Sequence, residues 1–426
     1  MSYALSRKAI GTGIHFSHVI DPKFKFNRIS VNFIVPLQKE RASDFAVVPF
    51  ILRKGFRECP DFTALNAKLC ELYGASLEAD VTKFGDLQLL EVSIQSIDNR
   101  FSLENEDIAG QCAELLASVV LDPKLSEEAF DPTDTQLEKE YVIDSIDALI
   151  NDKRSYALAQ CVQAMCKGQP NAIRRYGDRD QAEKITPQSA AAAYRDLLLE
   201  SPVEILFLGS GSPTATEEIF TRRFAEIQRK PLSHTPSPIP PKAGEVRHVE
   251  ETMELSQSKL VMGFRTGGLS TPESLTAARV FAALFGGTPF SKLFLNVREK
   301  LSLCYYCAAR FDIATQILMV DSGVEKQNVE KAKAEILVQL AAMQNGEITD
   351  QELANTKLLL KNGITTTTDS LSSIEGWYLS QILRGQSDTP AEDAAQIDAV
   401  TIGQVVEIAK GVTLDTIYFL TGEESK

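Results

Sequence analysis

The stretch that most constrains the fold of this 426-residue chain is a proline-rich segment at residues 231–241, PLSHTPSPIPP. Its five prolines in eleven positions fix φ and remove backbone donors, so neither a helix nor a central strand can run through it. It reads as an extended, semi-rigid connector just past mid-chain. The chain on either side ends in the same way. Ile185-Thr186 opens a helix-like stretch that leads to a strand at 203–209 (VEILFLG), and Val400-Thr401 opens another that leads to 416–422 (TIYFLTG). The offset is 215 at the threonines and 213 at the glycines, about half the chain, which points to an internal duplication.

The two halves also share a grammar. In the first, residues 29–35 (ISVNFIV) alternate at period two, as a half-buried strand does. Asp61 can then cap a helix whose Leu65, Leu69, Leu72 and Tyr73 share one face, with Gly74 as its left-handed stop. Segments 75–81 and 87–94, joined through Gly85-Asp86, read as a hairpin, and long helices are expected over 105–121 and 134–165. The second half offers a strand at 259–264, a helix ending before Gly286-Gly287, and paired strands at 304–312 and 315–321. A helix with Val329, Ala332, Ile336, Leu340 and Met343 on one face follows, stopped by Gly346, and Thr349 with Glu352 forms a capping box for the next. The expected fold class is α+β: two similar sandwich domains, each a mainly antiparallel mixed sheet with helices packed on one face. The expected boundaries are 1–229, a connector at 230–245, and 246–426.

With 44% apolar residues the chain can build two full cores, and collagen-like, disordered and coiled-coil classes are excluded. Its 58 acidic against 44 basic residues, net charge −14, disfavour a nucleic-acid partner, which requires clustered positive charge. No apolar run approaches the roughly 20 residues that span a bilayer. The N-terminus lacks a signal-peptide core, so no membrane partner and a cytoplasmic location are expected. The seven cysteines are odd in number and several lie in apolar helical patterns, as reduced thiols do, and no structural disulfide is expected.

Catalytic signatures are sparse. Of four histidines, His15 and His18 are three apart, but no carboxylate or thiol nearby in sequence completes a metal shell, and they read as surface residues. Cys304 and Cys307 form a C-x-x-C, yet in a regular strand positions three apart face opposite sides of the sheet, which argues against a redox pair. No G-x-S-x-G elbow, phosphate-binding loop or dinucleotide fingerprint is present. The informative phrases are Gly286-Gly287, Ser291-Lys292-Leu293-Phe294 and 298–305 (REKLSLCY).

Together with Leu72-Tyr73-Gly74-Ala75, these phrases resemble the M16 family, the pitrilysin/insulinase-like metallopeptidases that include mitochondrial processing peptidases, over essentially the whole chain. The resemblance implies the LuxS/MPP-like metallohydrolase fold. It is nearer to bacterial subunits of the family that lack the metal motif and are encoded beside an active homologue, one group of which is associated with 5-aminopentanol modification of elongation factor P. The family's zinc site is H-x-x-E-H, two histidines on one helical face with a glutamate that activates the bound water. Here, aligned on Lys54-Gly55, the ligand positions fall on Ala46 and Phe50, the glutamate falls on Pro49, and the downstream ligand falls near Asp147. No metal and no cofactor are therefore expected in this chain, with zinc expected in a partner subunit.

Arg298 and Tyr305 match the family's arginine–tyrosine pair, which helps hold the substrate and the oxyanion. Tyr306 is the one-residue alternative, since only one of two adjacent strand residues can face a given side. The resemblance also implies peptide binding by strand addition at a sheet edge, with 87–94, and so Leu89, Leu90 and Glu91, as the matching segment and Gly286 and Gly287 as further substrate contacts. The expected function is a catalytically silent subunit that pairs with a homologue bearing H-x-x-E-H and acts on peptide or unfolded protein. The alternative is a non-enzymatic scaffold or peptide-binding homodimer, including a role in a protein-modification pathway.

Overall fold

The computed structural model describes residues 4–422. The chain forms two compact units, neither of them a contiguous half of the sequence. Unit 1 takes the residues up to Asp147 with Ile173–Pro236 and Thr367–Thr389; unit 2 takes Ala148–Ala172, Ser237–Thr366 and the residues from Pro390 onward.

Unit 1 is built on a six-stranded sheet. Its strands are β1 (Ser6–Gly11), β2 (Ile14–Ile20), β3 (Phe26–Pro36), β4 (Ser76–Phe84) and β5 (Leu87–Ile97), followed, after the short hairpin of β6 (Leu125–Ser126) and β7 (Ala129–Phe130), by β8 (Val203–Gly209). Their order is β1-β2-β8-β3-β5-β4, with β2 and β8 parallel and the other pairs antiparallel. The helical layer comprises α1 (Ala42–Leu52), α2 (Phe62–Glu71), α3 (Ile108–Leu121), α4 (Pro132–Asp147), α6 (Arg179–Ala182), α7 (Pro187–Glu200) and α8 (Thr214–Ala225). The cap and stop read from sequence act on α2: Asp61 accepts from the Ala64 amide at 2.8 Å, and Gly74 has φ of 72°.

Alternation along β3 sends Ile29, Val31, Phe33 and Val35 into the core under this layer. Ile34 points the other way, where α12 (Leu371–Leu383) lays Leu371, Ile374, Tyr378 and Leu379 on Val19, Ile34, Leu89, Leu206 and Leu208. With both faces covered, β3 is buried from Asn27 to Val35, its polar residues Asn27, Arg28, Ser30 and Asn32 included.

Unit 2 is built on a five-stranded sheet of β9 (Arg247–Thr252), β10 (Ser258–Arg265), β11 (Cys304–Asp312), β12 (Ile317–Val324) and β13 (Thr413–Thr421). Its order, β11-β12-β10-β13-β9 with β13 and β9 parallel, repeats β4-β5-β3-β8-β2 of unit 1 strand for strand. The duplication inferred from the two chain endings thus has a topological counterpart, and β1 extends the unit 1 sheet at the edge beside β2. The second half of the chain also carries α9 (Pro272–Ala282), α10 (Val329–Gln344), α11 (Asp350–Thr367), α13 (Pro390–Ala399) and α14 (Ile402–Gly411). The capping box before α11 is formed, with the Glu352 amide donating to Thr349 Oγ1 at 3.2 Å and the Thr349 amide to Glu352 Oε2 at 2.8 Å.

The helix expected over 134–165 is two helices. A 3₁₀ turn at Ala148–Asn151 ends the first, and Asp152 caps α5 (Lys153–Met165) by accepting from the Arg154 and Ser155 amides. Helix α5 buries Ala157, Cys161 and Met165 with Val261, Ile317, Met319 and Tyr418 of the unit 2 sheet. Among the described residues no helix is long and apolar enough to cross a membrane.

Candidate functional site

In unit 1 the positions that correspond to a zinc motif lie on α1. Ala46, Pro49 and Phe50 are all buried. The Phe50 ring meets Tyr141 of α4 edge-on at 4.8 Å and Tyr176 at 6.2 Å, and the Arg53 guanidinium stands 5.6 Å from its centroid. An aromatic cluster therefore packs this helix face, with an alanine and a helix-interior proline alongside. Asp147 lies at the exposed end of α4 in an ion pair with Arg179. The buried carboxylate of α4 is Glu138, which holds Lys54 Nζ at 2.5 Å.

Zinc requires about four nitrogen, sulfur or oxygen ligands in near-tetrahedral array. Ala46 and Phe50 supply none, Asp147 is committed to Arg179, and among the described residues no three His, Cys, Asp or Glu side chains converge. The residues present do not fit the ion. His15 and His18 lie on β2 at a spacing that sends them to opposite faces. His15 Nδ1 is 3.3 Å from Glu204 Oε1, which also receives Arg7, whereas His18 packs near Phe16 and burial pushes its pKa below the ordinary value.

In unit 2, α9 runs into a π-helical turn at Ala283–Gly287, and a second π-helical turn, Phe294–Lys300, carries Arg298. Such turns widen the helix and recur at functional sites. The Arg298 side chain is 42% exposed, with its guanidinium 4.7 Å from the centroid of Phe294 one turn earlier and Nε 3.6 Å from Glu299. The chain then turns through Ser302, at φ of 51°, into β11, an edge strand of its sheet.

The register of β11 against β12 slips at its start: Cys304 pairs with Val324, and Tyr306 with the next residue, Gly323. Tyr305 is thus the extra residue of a β-bulge, and it stands 63% exposed. Tyr306 is half-buried, its ring 4.3 Å from the Arg154 guanidinium and 5.7 Å from Lys259 Nζ, and burial pushes its phenol up to about 12. Of the two tyrosines, Tyr305 is the one that presents its side chain to solvent. The bulge also corrects the expectation for the C-x-x-C. One added residue breaks the alternation, so Cys304 and Cys307 fall on the same side and hydrogen-bond to each other. No sequence signal marks that bulge.

The expected strand-addition segment is corrected as well. Strand β5 is paired on both sides, by β3 and by β4, and is not an edge. Leu89 lies under α12, Leu90 is in the main core, and Glu91 receives Arg28 Nη2 at 2.5 Å. Gly286 is corrected for a different reason. A Cβ there would stand 2.6 Å from the Ala309 amide nitrogen, so this glycine is buried where it lets the π-helical turn press on β11. Gly287 is exposed and carries no such packing demand.

Comparison with known proteins supplies the lineage. The profile described as Peptidase M16 inactive domain matches residues 184–360. A Bacillus subtilis (strain 168) protein named "Probable inactive metalloprotease YmfF" is 30% identical over 429 residues, covering 100% of this chain and 99% of that protein. This chain belongs to the M16 peptidase family. Among solved structures, a conserved protein from Enterococcus faecalis V583 matches with a TM-score of 0.91 and 26% identity over 99% of this chain and 100% of that one. A Helicobacter pylori protease, at 14% identity and a TM-score of 0.79, covers 99% of this M16 chain and 100% of its own, and shares the fold. The inactive M16 peptidase-like character given by the matched profile and relative agrees with the donor-free face of α1.

Proposed function

We propose that this chain is the metal-free half of a two-chain M16 peptidase in the cytoplasm. It pairs with a homologue that carries H-x-x-E-H and zinc, and it contributes Arg298 and Tyr305 to the cleft in which a peptide or unfolded segment is cleaved. The observation that carries this reading is a contrast within one molecule. The positions for metal chemistry are filled with Ala46, Pro49 and Phe50, while the arginine and the tyrosine keep exposed side chains. A guanidinium offers donors in a fixed fork to peptide carbonyls, and a phenol can donate to an oxyanion. Such donors aid acyl transfer because they meet charge that develops only in the transition state. In this reading the edge strand β11, rather than β5, offers backbone groups for strand addition of the substrate.

The test is co-expression with the neighbouring H-x-x-E-H homologue and measurement of unfolded-peptide cleavage. Arg298→Ala and Tyr305→Phe are each expected to lower kcat by about 10²-fold, the usual cost of a lost oxyanion donor, with the complex intact. Unchanged turnover would leave the second reading, a peptide-binding scaffold or homodimer, which the donor-free α1 face also accommodates.

A further inference from the structure

All seven cysteines are free thiols in unlike surroundings: Cys112, Cys161, Cys166 and Cys307 are buried, Cys70 is exposed, and Cys59 and Cys304 are half-buried. Cys304 and Cys307 stand out because the bulge at Tyr305 makes two sequence-near thiols neighbours on one side of an edge strand. Cys307 is enclosed and Cys304 is reached by solvent. Around them lie the Ser322 hydroxyl from the partner strand β12 and the Arg298 guanidinium from the preceding π-helical turn.

We propose that Cys304 is a thiol-modification site that exchanges with low-molecular-weight disulfides, and that Cys307 is the positioning residue that prepares it. The division of labour follows from the hydrogen bond between them. Cys307 S–H donates to Cys304 and favours its thiolate, and the Arg298 charge adds to this against the effect of burial, holding Cys304 at about 7, while the Ser322 hydroxyl donates to the Tyr306 carbonyl at 2.8 Å. The same bond, reinforced by burial, pushes Cys307 well above the ordinary thiol range, so it keeps its proton. One sulfur is thus a nucleophile and the other a donor.

In the exchange, Cys304 gives its proton to solvent and its thiolate attacks one sulfur of a disulfide RSSR. A Cys304–SR bond forms as the S–S bond of the reagent breaks, and the departing RS⁻ takes a proton from solvent. The Cys304 sulfur and the sulfur it joins form a mixed disulfide, and the two electrons leave with the other R group as its thiol. The exchange needs no partner chain, so it stands or falls separately from the composite-cleft reading.

The test uses a dipyridyl disulfide on the intact chain, with adducts quantified at each cysteine by peptide mass mapping across a pH series. The reference is a cysteine in an unstructured peptide, with a pKa of about 8.5. A thiol near 7 is more ionised at low pH but intrinsically less nucleophilic. Cys304 is therefore expected to react about sixfold faster than the reference near pH ~6 and about fivefold slower above pH ~10, so the two profiles cross. Cys307→Ala should move the Cys304 midpoint up towards the reference value and remove the low-pH advantage, whereas Cys307→Ser, which keeps a donor, should retain it. Cys304→Ser should abolish the adduct in that peptide and leave the one at Cys70 unchanged. A Cys304 profile that tracks the reference without crossing, no adduct at Cys304 in the folded protein, or identical Cys304 midpoints in Cys307→Ala and Cys307→Ser would each overturn the proposal.

Discussion

Arg28 of β3 is 7% exposed, and its guanidinium answers three carboxylates: Glu375 of α12 from Nε at 2.6 Å, Glu91 of β5 from Nη2 at 2.5 Å, and Glu78 of β4 from Nη1 at 3.3 Å. One buried cation cannot neutralise all of them. Burial first, then repulsion from Glu375, outweighs the attraction of Arg28 and pushes Glu91 up to about 7 from an ordinary value of 4.5. The native chain therefore holds a proton on Glu91 over a range where the unfolded chain has released it. The stability this group contributes is full below about pH 4.5 and is lost as pH rises through about 7. Glu91→Gln keeps the shape and removes the titration. Its urea midpoint is expected to exceed that of the parent near pH ~8, with a flatter profile between pH ~5 and ~8. A variant that loses stability over that window as steeply as the parent would place the titration elsewhere.

At the level of elements, α1 tests whether the lost metal site is a vacant socket or a rebuilt core. Writing the motif back, with Ala46→His, Pro49→Glu and Phe50→His together, places two imidazoles and a carboxylate on a face already filled by Phe50, Tyr141 and Tyr176. The expected result is a loss of about 3–5 kcal/mol in denaturant unfolding, as for other emptied aromatic sites and buried polar groups, with no stoichiometric zinc by elemental analysis. Zinc uptake without a stability loss would show a socket still in place. The same scale shows what was legible. The cap at Asp61, the stop at Gly74, the capping box at Thr349 and the apolar face of α10 are local rules, and the structure obeys them. The interior place of β5 was not legible, because edge and centre differ in pairing partners that sequence does not display, and Glu91, expected in a substrate-binding edge segment, is held by Arg28 instead. The bulge at Tyr305 was hidden for a related reason: register is settled between strands, and a tyrosine in a C-x-x-C carries no mark of being unpaired. The break at residues 148–152 did have a signal, since Asn151-Asp152 is a helix-starting pair inside an otherwise continuous helical stretch.

Across the whole molecule, the break at 148–152 decides how the duplicated chain holds together. Helix α5 belongs to the first half of the sequence but packs on the sheet of unit 2, and α12 belongs to the second half but packs on the sheet of unit 1. Each sheet thus has one face closed by a helix from the other repeat. Burying Leu371, Ile374, Tyr378 and Leu379 contributes about 6–12 kcal/mol by the usual values for side chains of this size, comparable with the net stability of an ordinary domain. A fragment of residues 1–229 would therefore leave Val19, Ile34, Leu89, Leu206 and Leu208 uncovered and would also expose the Ala157, Cys161 and Met165 face of α5. Expressed alone, it is expected to aggregate. Co-expressed with residues 230–426 it should become soluble and co-purify as a complementing pair, because the connector supplies continuity and the exchanged helices supply the burial. In the intact chain the same exchange predicts one cooperative unfolding transition, with calorimetric and van't Hoff enthalpies in agreement, rather than two. A soluble, monomeric 1–229 fragment with its own sharp unfolding transition would refute this coupling and make the two repeats independent domains.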